Sequence, residues 1–540
     1  MFWADKIAAD TKGHEIVNDS KTPSGRVHVG SLRGVVIHDV IYRALKQAGR
    51  PVKFLYGVDD YDAFDTIPKY LDREKFSPYL GFPLCNTPSP EDPNSDYAKY
   101  FMGEFLGVFE YLGVKPEVYY LRDLYRLGKL NKHIDTFLQN AHLVREVYKE
   151  VSKAERPDNW YPFQIVCEKC GKIATTIVTD YNGSEVFYTC RPNATKWVAG
   201  CGHSGWVSPF DGNGKLPWKV EWVAKWDLLG VTIEMAGKDH SQKGGSRDVA
   251  NAICYKVLKK QPPLHSPYEF ILVNGTKMSS SKGLGSSAVE IAELLPPELL
   301  RFLVLRTQPR TAINFAPNYE TITRLLRDYD TLVSKYVDNY DELKDNDCKL
   351  TKDLMPLFYA QVGDQIKPYN SFNFSTIISL LQIPHLDIKE EIAKRSPKVL
   401  NEFDWQIINQ RVATAQKWLQ DYADEEEKLV IYLQEVPKKA INLSSEQITY
   451  LEKLTKNLET LTSWESEELQ IAIFSISKEL EINPANAFQS IYLSFLGKVR
   501  GPKAGTLLSY LDKSFVISRI HDVIALNKSK SDLAEQTTEP

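Results

Sequence analysis

With 540 residues, 43% hydrophobic and 25% charged, the chain has the composition of a globular protein and room for about two to four domains with sizeable cores. A net charge of −4 excludes bulk basicity as the means of holding nucleic acid, although a local basic patch on an acidic protein can still do so. No apolar run approaches the ~20 residues of a membrane span, and Met1-Phe2-Trp3-Ala4-Asp5-Lys6 lacks the apolar core of a signal peptide, so a cytoplasmic protein with no membrane partner is expected.

His14 to Asn18 reads as a short buried strand, and Pro51 to Val58 as another. Between them, Leu32, Val35, Val36, Val40, Ile41, Ala44, Leu45 and Ala48 recur at helical spacing across residues 31–48, closed by Gly49. This is a β-loop-α-β unit whose loop, Thr22 to Gly34, sits at the carboxyl end of the first strand, where open α/β sheets bind ligands. The loop carries Ser24, Gly25, His28, Gly30 and Ser31. A helix N-terminus offers unpaired N–H groups and partial positive charge to phosphates. Gly30 admits a close ligand, and His28 can donate to a phosphate oxygen as charge develops there. Alone, such a loop is weak evidence, since a histidine before a glycine also fits an ordinary turn.

After the second strand come Asp59, Asp60, Asp62 and Asp65, which lean toward a cationic ligand, with helix capping and surface charge as the other reading. Residues 86–93 form a turn-rich loop, and residues 95–216 an insertion with helices expected near 96–112 and 130–153. Seven cysteines, an odd number, argue against a disulfide scaffold. Cys85, Cys254 and Cys348 are scattered, whereas Cys167-Glu168-Lys169-Cys170-Gly171 has the shape of a zinc knuckle. Cys190 and Cys201 complete a four-thiolate set, with His203 as a rival ligand; a redox pair or plain buried thiols are the other readings. Four filled positions would make the metal structural, not catalytic.

The sheet resumes near Trp222, which could cover a substrate side chain or simply fill the core, and continues through Val231 to Glu234 and Gly237-Lys238-Asp239-His240. Tyr268 to Gly275 reads as a strand running into a turn. The following Lys277, Met278, Ser279, Ser280, Ser281, Lys282 and Gly283 make a cationic loop able to wrap a polyphosphate. From about 318 the spacing is helical, as in Ile322, Leu325, Leu326, Tyr329, Leu332 and Val333, which reads as helix core. Residues 526–540 are expected to be a disordered tail.

The paired loops at 28–31 and 277–283 resemble the two signatures of class I aminoacyl-tRNA synthetases, usually written HIGH and KMSKS. Thr22-Pro23-Ser24-Gly25, Asp59-Asp60-Tyr61-Asp62, Gly237 to His240 and Lys498-Val499-Arg500-Gly501-Pro502 are similar to the class I lysyl-tRNA synthetase family in particular. Ser31 and Ser280 depart from the class-wide pattern, leaving Lys277 and Lys282 to supply the loop's charge.

The resemblance implies an α/β fold: a Rossmann-type catalytic domain in two halves, 1–94 and 217–317. It places a zinc-bearing connective insertion at 95–216 and a helical anticodon-binding region at 318–525. It further implies ATP with Mg2+, L-lysine and tRNA(Lys) as partners; the cysteine spacing itself points to structural zinc, and a monomer is expected. His28, Gly30, Ser31 and residues 277–282 fall on the triphosphate, Ser24, Gly25, Asp239 and His240 on the nucleotide, and Asp59, Asp60 and Trp222 on the amino acid. An enzyme for glutamate or arginine, and a weakened tRNA-binding paralogue, are the competing readings.

Overall fold

The computed structural model describes residues 1–273, 276–277, 286–338, 351–363, 365–383 and 386–536, with backbone alone at 276–277 and 531–536. Strand β1 (Glu15–Lys21) pairs in parallel with β2 (Val52–Val58), and β2 with β3 (Glu117–Tyr120). On its other edge β1 meets residues 232–233: Asn18 N donates to Ile233 O at 3.0 Å and Ile233 N to Ile16 O at 3.1 Å. Farther along lie β4 (Ala236–Gly237) beside β5 (Pro267–Tyr268), and β6 (Ile271–Val273) beside β7 (Ile313–Phe315), both pairs parallel. The expected Rossmann-type α/β architecture is therefore present, its two halves meeting along β1.

Helix α1 (Trp3–Asp10) precedes the sheet and α2 (Leu32–Gln47) follows β1. In α2, Val35, Val36, Val40, Ile41 and Leu45 are all buried, each side chain contributing ~1.5–3 kcal/mol relative to exposure. The helix ends at Gly49, whose φ of +70° suits a residue without Cβ. There Gly49 N bonds Lys46 O and Arg50 N bonds Leu45 O, both at 3.0 Å, the paired closure of a Schellman motif. A 3-10 turn, Val29–Ser31, intervenes between β1's loop and α2, so the helix proper starts at Leu32.

The insertion opens with α3 (Tyr97–Tyr111), and the helix expected over 130–153 is two, Asn131–Gln139 and Ala141–Ser152, divided at Asn140 (φ −105°, ψ 29°). An antiparallel ribbon comes next, Thr176–Tyr181, Val186–Cys190 and Ser204–Val207. The second half adds α4 (Trp218–Leu229), α5 (Ser246–Ile253) and α6 (Pro297–Leu305).

The chain forms two units, residues 1–316 with 324–368, and residues 317–323 with 369–540. The boundary expected at 318 is thus displaced, and hydrogen bonds explain why 324–368 stays with the sheet. Tyr359 donates its hydroxyl to Asp5 at 2.6 Å and to Gln47 at 3.1 Å. Arg43 Nη1 donates to Tyr359 O at 3.2 Å and Gln361 O at 2.8 Å. The second unit is helical around Tyr450, Leu454, Leu458, Ile473, Ile491, Phe495 and Ile520. Within it, Lys498 donates to the carbonyls of Glu425, Glu426 and Lys428 at 2.6–2.7 Å, and Tyr492 to Pro502 O at 2.7 Å. The Lys498–Pro502 motif therefore ties loops together. The tail expected from 526 is instead the end of a helix, Lys513–Gln536. Buried Val516, Ile520 and Val523 carry it, and the Asn527 amide donates to Ala440 O at 2.7 Å. Among the described residues no helix is long and apolar enough to cross a membrane.

Arg301 of α6 is fully buried, donating to Asp39 at 2.6 Å, Leu112 O at 3.1 Å and Tyr359 O at 2.8 Å. Arg301→Met should strand a buried carboxylate and cost about 3–5 kcal/mol of the first unit's stability, to be read by urea unfolding.

Candidate active site

A cavity of about 200 Å³ opens at the carboxyl end of β1. Asp19, Ser20 and Lys21 enter it from β1, His28, Gly30 and Ser31 from the turn before α2, and Tyr56 from β2. Gly237 enters from β4 with Asp239 and His240 just after it, Tyr268 from β5, and Phe270 and Ile271 from the start of β6 and the residue before it. Five expected residues, His28, Gly30, Ser31, Asp239 and His240, are thus brought together from positions about two hundred residues apart. Gly237 has a steric reason to be glycine: a Cβ there would lie 2.7 Å from Asp239 Oδ1.

Residues 278–285, holding Met278, Ser279, Ser280, Ser281 and Lys282, lie outside the described residues, and Lys277 is described as backbone only. Both flanks of that segment are at the site. Upstream, Leu272 pairs with Lys277. Downstream, Val29 N donates to Ser286 O at 3.1 Å and Ala288 N to Val27 O at 2.8 Å, so the chain leaving the segment is stitched to the first loop. Ser24 and Gly25 do not line the cavity: Ser24 O accepts from Tyr97 OH at 3.1 Å, and Gly25 turns the chain at φ +153°.

The aspartate run is differently employed from the expectation. Asp60 is 0% exposed. It accepts from Arg122 N at 2.9 Å and forms an ion pair with that guanidinium, which also reaches Asp96 at 2.6 Å. Asp59 accepts from Lys225 of α4 at 2.6 Å and from Ser20 Oγ at 3.0 Å. Asp62 takes Lys215, which also stands 3.2 Å from Glu221, together with Thr22 Oγ1 at 2.7 Å. Burial alone would depress the Lys225 ammonium, but Asp59 together with Tyr119 and Glu221 outweighs it and holds it above its usual range. Burial also pushes Glu221 up to about 7, with Lys215 opposing. The protein's own cations thus occupy these carboxylates, and neither Asp59 nor Asp60 lines the cavity.

Trp222 is 8% exposed and donates Nε1 to Glu234 at 2.6 Å, a carboxylate that also takes Trp226 Nε1 at 2.8 Å and Asn18 Nδ2 at 2.9 Å. Its ring centroid lies 6.0 Å from that of His240, so Trp222 backs a cavity residue without lining the cavity.

Asp19 is a cavity residue that the sequence did not single out. Its Oδ1 accepts from Ser20 N at 2.9 Å, and its nearest ring nitrogen is His38 Nδ1, 3.6 Å from Oδ2. That histidine is neutral: Nδ1 donates to Gly34 O at 2.7 Å while Nε2 accepts from Met235 N at 2.9 Å, and burial pushes its pKa down to about 4. Burial pushes Asp19 itself up to about 7. The available signal was the polar Asn18-Asp19-Ser20 run within the strand that leads into the loop.

In the ribbon, the sulfurs of Cys167, Cys170, Cys190 and Cys201 all lie within 4.8 Å of one another, with Cys167–Cys201 at 3.6 Å and Cys170–Cys190 at 3.7 Å. Those spacings are too long for disulfides and match the ~3.8 Å tetrahedron edge set by Zn–S bonds of ~2.3 Å. His203 is not in the cluster; its Nε2 faces Glu168 at 3.9 Å.

Two family models match the chain: "tRNA synthetases class I (K)" over residues 1–354 and "Anticodon binding domain" over 427–524. A Thermoplasma acidophilum Lysine--tRNA ligase is 33% identical over 527 residues, 97% of this chain and 99% of that one. The Archaeoglobus fulgidus Lysine--tRNA ligase is 33% identical over 528 residues, 96% of this chain and 99% of that protein. One from Methanococcus maripaludis is 32% identical over 546 residues, 96% and 99%. An α/β domain matched by the class I model over residues 1–354, with relatives matched along nearly their whole length, makes the chain a class I tRNA synthetase. Within that class it belongs to the lysyl-tRNA synthetase family.

The buried pairing of Asp60 predicts how a substitution there would behave. Asp60→Asn should cost about 3 kcal/mol of stability by stranding Arg122 and leave the KM for lysine within about twofold. Denaturant unfolding and steady-state kinetics on the same preparation would check both halves.

Proposed function

We propose that the chain activates L-lysine with ATP and esterifies it to the 3′-terminal adenosine of tRNA(Lys), as a cytoplasmic monomer. The observation carrying this reading is the cavity at the end of β1, where the His28–Ser31 turn faces Asp239 and His240 and both flanks of the 278–285 segment arrive. In the first step a lysine carboxylate oxygen attacks the α-phosphorus and pyrophosphate leaves, giving lysyl-adenylate. In the second a terminal ribose hydroxyl attacks the acyl carbon, AMP leaves with the bonding pair, and the hydroxyl proton is released.

Neither step needs a covalent enzyme intermediate, so the protein's part is alignment and charge stabilisation. His28, the backbone at Gly30 and the Ser31 hydroxyl bind the triphosphate, while Lys277, Ser279, Ser281 and Lys282 close over its outer phosphates. Asp239 and His240 hold the nucleoside. Mg2+ accompanies ATP and offsets its charge. Cys167, Cys170, Cys190 and Cys201 hold one zinc ion, which cross-links the ribbon and takes no part in the reaction. The insertion positions the acceptor end, and the helical unit, through its region matching the anticodon-binding model, the anticodon.

Charging total tRNA with each of the twenty amino acids in parallel tests the reaction: lysine alone is expected. Charging with another amino acid overturns the substrate, and bound tRNA with neither charging nor pyrophosphate exchange would mark a weakened paralogue. Lys282→Ala should slow adenylate formation by about 10²–10³-fold, the scale of one lost transition-state donor, read in single-turnover quench experiments. Metal analysis of protein purified without added zinc should find close to one equivalent. A Cys167→Ala variant that stays folded and fully loaded would remove the zinc assignment.

A further inference from the structure

Among the described residues, several carboxylates near the site are matched by the chain's own cations or donors, whereas Asp19 has no lysine or arginine beside it. Asp59, Asp60 and Asp62 each have a fixed cation, and Glu234 is saturated by two indoles and an amide. Asp19 lines the cavity, its side chain 13% exposed, with no lysine or arginine in ion-pair range among the described residues. The titratable and charged groups facing it come from every element packed around it. Lys21 lies on its own strand, Asp59 and Tyr56 come from β2 and its exit, His38 from α2, Lys225 from α4 and Tyr268 from β5. Lys225 is spoken for by Asp59, and His38 is held neutral by its two backbone partners.

The space beside Asp19 is shaped by an absence. A Cβ on Gly34 would lie 3.0 Å from Asp19 Oδ2 and 2.7 Å from the Tyr268 hydroxyl. Glycine at this position of α2 therefore lets a carboxylate and a phenol converge, with Tyr56 and Phe270 adding aromatic walls. Such a corner suits a desolvated ammonium, which gains a charge-assisted hydrogen bond from the carboxylate and attraction from the ring faces. The polyphosphate groups His28 and Ser31 stand elsewhere on the same cavity wall.

We propose that Asp19, with the Tyr268 hydroxyl over Gly34, is the receptor for an ammonium group of the amino-acid substrate. The inference rests on the lysine-activating reading given above. Ligand binding draws the Asp19 carboxyl into its charged form. Burial holds Asp19 near 7 in the free protein, so it is largely neutral below that pH and charged above it. The value of kcat/KM for lysine should accordingly rise as pH increases through about 7, since that ratio reports free-enzyme groups.

The test is lysine-dependent ATP–pyrophosphate exchange by the full chain with total tRNA present, comparing the unsubstituted protein, Asp19→Asn and Gly34→Ala. Both variants should raise the KM for lysine by about 10–10²-fold and leave the KM for ATP within about twofold. Asp19→Asn should also lose the pH limb near 7. Two competitive mimics separate the ammonium groups: 6-aminohexanoate lacks the α-ammonium and L-norleucine lacks the ε-ammonium. One mimic should bind Asp19→Asn as it binds the unsubstituted protein, and it is the one missing the group that Asp19 receives. An unchanged lysine KM, or equal losses for both mimics, would overturn the assignment. Failure of the unsubstituted protein to exchange with lysine, while exchanging with another amino acid, would instead overturn the reading of the reaction.

Discussion

The run Asp59-Asp60-Tyr61-Asp62 at the exit of β2 is where the first unit is tied together. Each carboxylate takes a cation from a different stretch: Lys225 from the resumed sheet domain, Arg122 from the start of the insertion, Lys215 from its end. Buried charges of this kind are costly to desolvate and contribute little net stability as pairs. Their value here is positional. A strand end cannot be left with three uncompensated carboxylates, so the insertion must return its polypeptide to this point before the second half of the sheet can close. That requirement fixes α4 beside β1, and α4 in turn carries Trp222 and Trp226 onto Glu234. Glu234 then aligns β1 through Asn18.

Much of this was legible in sequence, for identifiable reasons. The β-loop-α-β unit announced itself because α2 is apolar at helical spacing and ends at a glycine in the left-handed region, a signal carried by local residues alone. The four cysteines were legible from the Cys167/Cys170 spacing, while the exclusion of His203 needed coordinates, since only a three-dimensional placement turns its ring toward Glu168. The aspartate run was legible as an acidic feature, but its partners within the chain were not. A cation 60 or more residues away leaves no local trace, so a carboxylate awaiting a substrate and one matched by the chain's own lysine look alike in one dimension.

The helical half shows the same limit in another form. Periodicity located helices but not where one unit ends and the next begins, because the described helices within residues 324–368 have the same spacing as those that follow. Their membership is decided by Tyr359 bonding Asp5 and Gln47 and by Arg301 and Arg43 reaching its carbonyl. The last helix was lost to a composition argument: a charged, serine-rich end reads as disordered unless the buried stripe through Val516, Ile520, Val523 and Asn527 is traced past 525.

A cavity meant for both a polyanion and a dication-bearing amino acid has to keep opposite charges apart at short range. The cavity does so by the order of residues along β1 and its exit. His28 and Ser31 come after Asp19 along the chain, placing the groups proposed for the phosphates beyond the strand and the carboxylate within it. Charging Asp19 permanently would have required only one cation nearby, and His38 is close enough to serve. Its proton is instead committed to Gly34 O and its second nitrogen to Met235 N, which removes the nearest competitor for whatever cation enters. A neutral histidine 3.6 Å from a carboxylate is thus part of the recognition problem: its two backbone bonds hold it in a tautomer that keeps Asp19 from gaining an imidazolium partner.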